Sequence, residues 1–278
     1  QINDKGIGNG ISIILFAGIV SRIPSLITQL FGGTGTGSYW SRGGVYYFLS
    51  PFVCVILVLM IAFIVWMDNA ERRIPVQYAK RVVGRKIYGG QNTHIPIKVN
   101  MSGVMPVIFA GSILSIPPTI QMFIPAAKLS ASKFWTGFFN VFSSTHWAYG
   151  IIYFILIIAF AYFYSSIQYN PIEMSQNIAK NGGMIPGIRT GRPTSDYIAR
   201  IISRITLLGA LLLSVVAIFP ILFSQITTLI LSKATSYADG MNISLGGTSI
   251  IILVGVALET VKQLESQMMM RHYKGFLD

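Results

Sequence analysis

Six long apolar stretches alternate with polar segments along the chain, and this pattern predicts helices that cross a membrane. A helix needs about 20 consecutive apolar residues to span a bilayer. The sixth apolar run is short, so we expect the last turns of its helix to stand in the headgroups or in water. The predicted spans are about 11–31, 47–67, 103–125, 148–168, 205–231 and 248–270.

The segments between the spans are expected to be loops, apart from a short interfacial helix in KLSASKFWTGFF. The first span contains Arg22 and Pro24, and we expect them to interrupt it. The pattern as a whole predicts an all-α, polytopic membrane protein with six transmembrane helices.

The composition agrees with a membrane protein. Only 11% of the residues are charged and 53% are hydrophobic, whereas a soluble domain carries about 25% charged residues. The net charge of +12 is accounted for by the excess of Lys and Arg in the loops of membrane proteins, so we predict no DNA partner. The single cysteine, Cys54, excludes an internal disulfide and is expected to be a small buried hydrophobe.

The distribution of positive charge predicts the orientation in the membrane. Six spans place both termini on one side, and that side holds 16 Lys and Arg residues against four on the other. Cytoplasmic loops retain Lys and Arg. We therefore predict that both ends of this segment are cytoplasmic, together with the loops 69–102 and 169–204.

These two loops carry more positive charge than orientation requires. The stretch IPVQYAKRVVGRKIY alternates charged and apolar residues, which is typical of a projecting hairpin or short helix. The stretch GMIPGIRTGRP is rich in Gly and Pro and predicts an ordered turn that presents Arg189 and Arg192. Two basic loops on one face would form a cationic platform for phosphate backbones or acidic proteins. The alternative is that they only set orientation and contact anionic lipid.

Two other classes of protein fit the residues less well. An ion-coupled secondary transporter is the main alternative, because its broken helices would look similar. Such transporters usually carry ionisable residues deep in the membrane, yet the second to fifth spans contain no Asp, Glu, Lys, Arg or His. An enzyme is not indicated, because His94, His146 and His272 lie far apart and show no metal-binding spacing. We therefore predict no catalytic residue, metal or cofactor.

Five stretches of the chain are distinctive. They are GIGNGISIILFAGIV at 6–20, ERRIPVQYAKR at 71–81, QNTHIPIKVNMSGVMPVIFA at 91–110, NPIEMSQNIAKNGGMIPGIRTG at 170–191 and GGTSIIILVGV at 246–256. They resemble the SecY family, the central subunit of the bacterial protein-translocation channel. They occur in the order and spacing of the family.

The resemblance covers spans five to ten of the ten in the family, so residues 1–278 are expected to be the C-terminal half of a SecY-type channel. The two halves of such a channel form an inverted repeat. The chain begins at Gln1, and we expect it to be a piece of the full protein or one subunit of a split protein.

The resemblance implies two sites within the membrane. The first is a ring of flexible aliphatic side chains that excludes water and ions. Its expected members from this chain are Leu15, Ile19, Ile108 and Ile252. A lateral gate is expected to use the small residues of the third span, which let helices approach closely. Its predicted residues are Gly111, Ser112, Ser115 and Ile116. Hydrophobicity alone favours ordinary packing or lipid contact for the four ring residues, and only the resemblance favours the ring.

The resemblance also assigns a function and partners. It implies a subunit that passes secretory polypeptides across the bacterial plasma membrane and releases membrane-protein segments into it. The implied partners are the N-terminal half of SecY, SecE, SecG, the SecA ATPase, the ribosome, signal peptides, nascent polypeptides and lipid. The implied docking residues for SecA or the ribosome are Arg72, Arg73, Lys80, Arg81, Arg85, Lys86, Arg189 and Arg192.

Overall fold

The computed structural model confirms a predominantly helical chain. Among the residues that it describes, six helices are long and apolar enough to cross a membrane. The structure describes residues 10–32, 38–40, 44, 46–78, 81–83, 86–88, 92–124, 133–143, 146–234 and 246–274. The helices are α1 (Gly10–Val20), α2 (Ile23–Phe31), α3 (Tyr46–Asn69), α4 (Met105–Phe123), α5 (Lys133–Val141), α6 (Trp147–Gln168), α7 (Pro171–Lys180), α8 (Arg192–Ala234) and α9 (Gly247–Lys274).

The first span is made of two helices, as its sequence predicts. A turn at residues 21–22 separates α1 from α2, and Pro24 lies in the first turn of α2. Proline suits this position because the first N–H groups of a helix have no partner within the helix. The missing N–H of Pro24 therefore costs no hydrogen bond within α2.

The segment between α3 and α4 contains β-strands, so the expectation of loops outside the spans is wrong here. The strands are β1 (Glu71–Tyr78), β2 (Arg81–Val83), β3 (Lys86–Tyr88) and β4 (Asn92–Lys98), and a short β5 (Gly183–Met184) follows α7. The strand order is β4-β1-β5 in one sheet, and β2 pairs with β3 in a separate antiparallel hairpin. A hairpin was one of the two forms that the sequence predicts for this stretch.

The β1–β4 pair, here called the ribbon, forms because one of its faces is apolar. Strand β1 runs antiparallel to β4, from Glu71 opposite Lys98 to Gln77 opposite Asn92. Ile74 is 3% exposed, while its neighbours in the strand are exposed. This alternation places one side of the ribbon against a core and leaves the other side to solvent.

Helix α8 begins at Arg192, well before the predicted start of the fifth span at residue 205. Its first turns are amphipathic, since Ile198 and Ile202 are buried while Asp196 and Arg200 are exposed. A search for apolar runs misses such turns because only one face of the helix is apolar.

The chain divides into two compact units, each with its own core. The first unit comprises residues 1–66, 114–153 and 215–278, and the second comprises 67–113 and 154–214. The first core includes Leu26, Leu30, Tyr39, Tyr46 and Val53, with Cys54 partly buried against it. The second core comprises Ile74, Val76, Ile97, Met101, Ile178, Ile185, Ile198 and Ile202.

Candidate functional site

Three of the four predicted ring residues belong to the first unit. Leu15 and Ile19 are one turn apart on α1, and Ile252 lies on α9, which packs against α1. The Leu15 side chain is 48% exposed. Ile19 is half-buried and packs against the core of α2 and α3. Ile252 is half-buried next to the fully buried Ile251. Among these three predicted ring residues, Leu15 is the most exposed.

The fourth predicted ring residue, Ile108, lies on α4 within the second unit. Its side chain is half-buried. Its main-chain carbonyl oxygen accepts a hydrogen bond of 2.8 Å from the Ser112 hydroxyl. Ile108 is thus an apolar residue at the start of the same helix that carries the predicted gate residues.

The predicted gate residues form one short stretch of α4. Gly111 is half-buried, whereas Ser112, Ser115 and Ile116 are exposed. The hydroxyl of Thr119 donates to the Ser115 carbonyl oxygen at 2.7 Å. Such side-chain bonds back to the preceding turn satisfy a hydroxyl group within a helix and favour bending. The stretch therefore exposes the small, uncharged side chains of Ser112 and Ser115.

The ribbon presents two of the predicted docking residues. Arg72 and Arg73 are exposed on β1, and Arg73 Nε lies 2.8 Å from Glu71 Oε1 in an ion pair. Because this pair is solvent-exposed, it contributes little to stability. Arg73 also lines an open pocket of about 350 Å³ with Glu71, Thr93, His94 and Pro96.

The hairpin carries the backbone of two further docking residues. Arg81 lies opposite Tyr88, and Val83 lies opposite Lys86. Lys80 and Arg85 fall outside the residues that the structure describes.

The predicted turn around Arg189 is ordered by side chains that the sequence reasoning missed. Gly187 and Gly191 have φ of 80° and 103°, which favour glycine. The Thr194 hydroxyl donates to the Arg189 carbonyl oxygen at 2.8 Å, and the Ser175 hydroxyl donates to the Gly191 carbonyl oxygen at 2.9 Å. Both hydroxyl-bearing residues are buried. Thr194 follows the turn directly, which is a usable sequence signal, but Ser175 is distant and carries none.

The same turn presents both of its predicted arginines. Arg189 and Arg192 are exposed, and Arg192 is the first residue of α8. Among the described residues, no group of three His, Cys, Asp or Glu side chains is placed to hold a metal ion. The site is therefore one of exposed cations and apolar surfaces.

Comparison with known proteins gives consistent matches over almost the whole chain. The SecY family model matches residues 1–261. The chain is 45% identical to protein translocase subunit SecY of Mycobacterium tuberculosis over 99% of its own length and 59% of the relative's. It is 42% identical to the subunit of the same name from Thermotoga maritima, over 100% of this chain and 57% of that one.

Solved structures share the fold. A structure described as that of a protein conducting channel superposes with a TM-score of 0.54 at 19% identity, covering 95% of this chain and 60% of that one. A second structure, described in terms of a plug domain and a closed state of the translocation channel, superposes with a TM-score of 0.54 at 18% identity. It covers 95% of this chain and 61% of that one. The chain thus spans about three fifths of the length of the proteins it matches.

Proposed function

Because the chain belongs to the SecY family, we propose that it supplies the second half of a protein-conducting channel in the bacterial plasma membrane. The channel passes secretory polypeptides across the membrane and releases membrane-protein segments into the lipid. The observation that carries this proposal is a family match over residues 1–261 in a chain with six candidate spans. Relatives of this chain are named as translocase subunits and not as enzymes.

The channel barrier is proposed to be aliphatic. A channel for chains of any sequence cannot rely on specific binding groups, whereas apolar side chains exclude water and ions by dewetting. The contact between α1 and α9 supports a shared contribution from Leu15, Ile19 and Ile252. Ile108 is proposed to complete the set from α4.

The lateral gate is proposed to run along α4 at Gly111, Ser112, Ser115 and Ile116. Small side chains allow close approach with little interlocking surface, so a neighbouring helix can separate from this one at low cost. Ile116 is 53% exposed, which supports a contact made outside these two units. A signal peptide, as an apolar helix, is the proposed occupant.

The ribbon, the hairpin and the Arg189 turn are proposed to form the cytoplasmic docking surface for SecA or the ribosome. The exposed Arg72, Arg73, Arg189 and Arg192 support this role. Arginine suits both partners because its guanidinium binds phosphate or carboxylate through two hydrogen bonds. Under this assignment both ends of the segment are cytoplasmic. Lys80, Arg81, Arg85 and Lys86 are proposed as further docking residues.

The remaining partners are proposed to complete the channel. The N-terminal half of SecY, in the same or a separate chain, would supply the other wall of the pore and gate, and SecE and SecG would assemble with both halves. This proposal rests on the length difference, because relatives extend well beyond the matched region.

The proposal is tested by a photo-crosslinking probe at Ile252 in the complete channel, with a signal-bearing precursor stalled in transit. Val58, which is 66% exposed near the middle of α3, is the matched control position. We expect the probe at Ile252 to label the precursor and the probe at Val58 not to label it. Equal labelling from both positions contradicts the pore assignment, as does no labelling from Ile252 when a probe in the other half labels the same precursor.

A further inference from the structure

Helix α5 separates aromatic and polar side chains onto opposite faces. Phe134 and Phe138 are four residues apart, which places them on one face, and their side chains are 75% and 42% exposed. Trp135 lies beside them and is 48% exposed. Thr136 and Asn140 are also exposed, and an offset of two residues, about 200° around the helix, places them on the opposite face. The aromatic face is thus an exposed apolar surface on a short amphipathic helix.

The exposed aromatic side chains are held in place by a buried one. Phe139 is only 4% exposed. Its ring stacks on Trp135 with centroids 5.8 Å apart and meets Phe138 edge-on at 5.5 Å. These contacts fix the orientation of the exposed rings before any partner binds, which lowers the entropy cost of binding.

The position of α5 in the chain places it at the membrane surface. It lies between the candidate spans Met105–Phe123 and Trp147–Lys180, so the chain leaves and re-enters the bilayer on the same side. A nine-residue helix is about 14 Å long, whereas the hydrocarbon core is about 30 Å thick. The six residue steps from Val141 to Trp147 reach about 20 Å at most. Helix α5 therefore stays near the point where α6 enters the bilayer.

Other exposed aromatic residues occur at span ends on the same side. The connection after the first span contains Trp40, whose ring lies 5.6 Å from Phe31 and 4.9 Å from Tyr47. Trp147, at the start of α6, is 53% exposed. Span parity puts the first and third connections on one side of the membrane. Tryptophan and tyrosine concentrate at the level of the headgroups, so these residues mark an interfacial layer to which α5 is tethered.

We propose that Phe134, Trp135 and Phe138 form a lipid-binding face that inserts α5 into the headgroup region, with Thr136 and Asn140 toward water. The occupant is phospholipid, because this face continues the aromatic layer at the span ends. Lys133, the first residue of α5, is its charged residue, and the face formed by Phe134, Trp135 and Phe138 is itself uncharged. This face therefore inserts by apolar burial, in neutral as well as in anionic bilayers.

The test uses the complete protein reconstituted into phosphatidylcholine vesicles. Trp135 is made its only tryptophan by changing Trp40, Trp66 and Trp147 to Phe, together with any tryptophan outside residues 1–278. Quenching of Trp135 fluorescence is measured with bromine near the top or near the end of one lipid acyl chain, and with acrylamide in the water. The matched control moves the probe to the polar face by Asn140→Trp with Trp135→Phe. Thr136→Trp replaces Asn140→Trp if that variant does not assemble.

We expect shallow bromine to quench Trp135 fluorescence at least about twofold more strongly than deep bromine does, because interfacial helices lie about 5–10 Å into the headgroup boundary. The control tryptophan should respond to acrylamide and not to brominated lipid. Addition of phosphatidylglycerol should leave both results unchanged. Quenching of Trp135 by acrylamide alone overturns the proposal, and protection from both quenchers overturns it in favour of a covering protein. Stronger quenching by deep bromine also overturns it.

Discussion

Gly209 of α8 faces the carbonyl oxygen of Val99 so closely that a side chain on the glycine would overlap this oxygen. The Val99 amide donates to the Ala70 carbonyl oxygen at 2.9 Å. Val99 and Ala70 lie just beyond the paired ends of the ribbon. The ribbon is therefore seated on α8 by main-chain contact at its base, within the second unit.

Gly209→Ala is expected to lower stability by about 1–3 kcal/mol, because an added methyl group in a packed contact forces the backbone to shift. The measurement is thermal unfolding of the purified protein in detergent. Gly18→Ala on α1 is the matched control, since nothing lies within 4 Å of a side chain added there. Equal melting temperatures for Gly209→Ala and the unmodified protein would show that the ribbon can move away from α8 without cost.

Asn100 and Asp68 form a second link at the base of the ribbon. Asn100 is 8% exposed, and its Nδ2 donates to Asp68 Oδ1 at 3.3 Å. We expect Asn100→Asp to destabilise the protein at neutral pH, because the introduced carboxylate then lies beside that of Asp68 and their repulsion raises the pKa of the introduced carboxyl group. A folded-state pKa above the unfolded value gives stability that is present at low pH and lost as pH rises. Stability should therefore recover as pH falls toward about 4.

The measurement for this variant is the denaturant midpoint as a function of pH, compared with Gln176→Glu. Gln176 is exposed on α7, so the same change from amide to carboxylate occurs there in water. A pH profile of Asn100→Asp that parallels the control would mean that the two carboxylates do not interact.

Ser165 and Thr206 join α6 to α8 through a buried hydrogen bond of 2.9 Å between their hydroxyl groups. Ser165→Ala and Thr206→Ala are each expected to destabilise the protein modestly, with a coupling energy of about 0.6 kcal/mol in a double-mutant cycle. The free energy of unfolding in mixed micelles is measured for all four proteins of the cycle. Ser166→Ala is the control, because its hydroxyl donates only within its own helix, to the Phe163 carbonyl oxygen. If the two changes in unfolding free energy are strictly additive, the hydrogen bond does not couple the two helices and the prediction is contradicted.

Arg189→Glu tests the proposed docking surface. If Arg189 contacts SecA as proposed, we expect the change to reduce SecA-driven export several-fold. The melting temperature should stay unchanged, because Arg189 is exposed and substitutions at exposed positions change stability little. Export of a model precursor into membrane vesicles provides the measurement, repeated at two salt concentrations because such contacts weaken with ionic strength.

Lys180→Glu is the matched control for that experiment. Lys180 is exposed at the end of α7, and its reversal changes the net charge by the same amount. Equal loss of export from both variants would assign the effect to the overall positive field and not to a contact of Arg189. Unchanged export with Arg189→Glu would contradict the docking assignment.

The six candidate spans among the described residues follow from the sequence alone, although the early start of α8 at Arg192 does not. Each span is a mostly apolar run, and hydropathy is a local property that needs no knowledge of neighbours. The restart of the first span at Pro24 follows from proline chemistry. The hairpin and the exposed arginine turn are also visible locally, because alternation and Gly–Pro content act over a few residues.

The contacts between distant segments required the three-dimensional structure. The pairing of β1 with β4, the bond from Ser175 to the Gly191 carbonyl oxygen and the close approach of Gly209 to Val99 join residues far apart in the chain. A local pattern states which face of an element is apolar, but not which other element covers it. Partner choice is set by shape and by the need to pair buried polar groups, and both arise only when the whole chain packs.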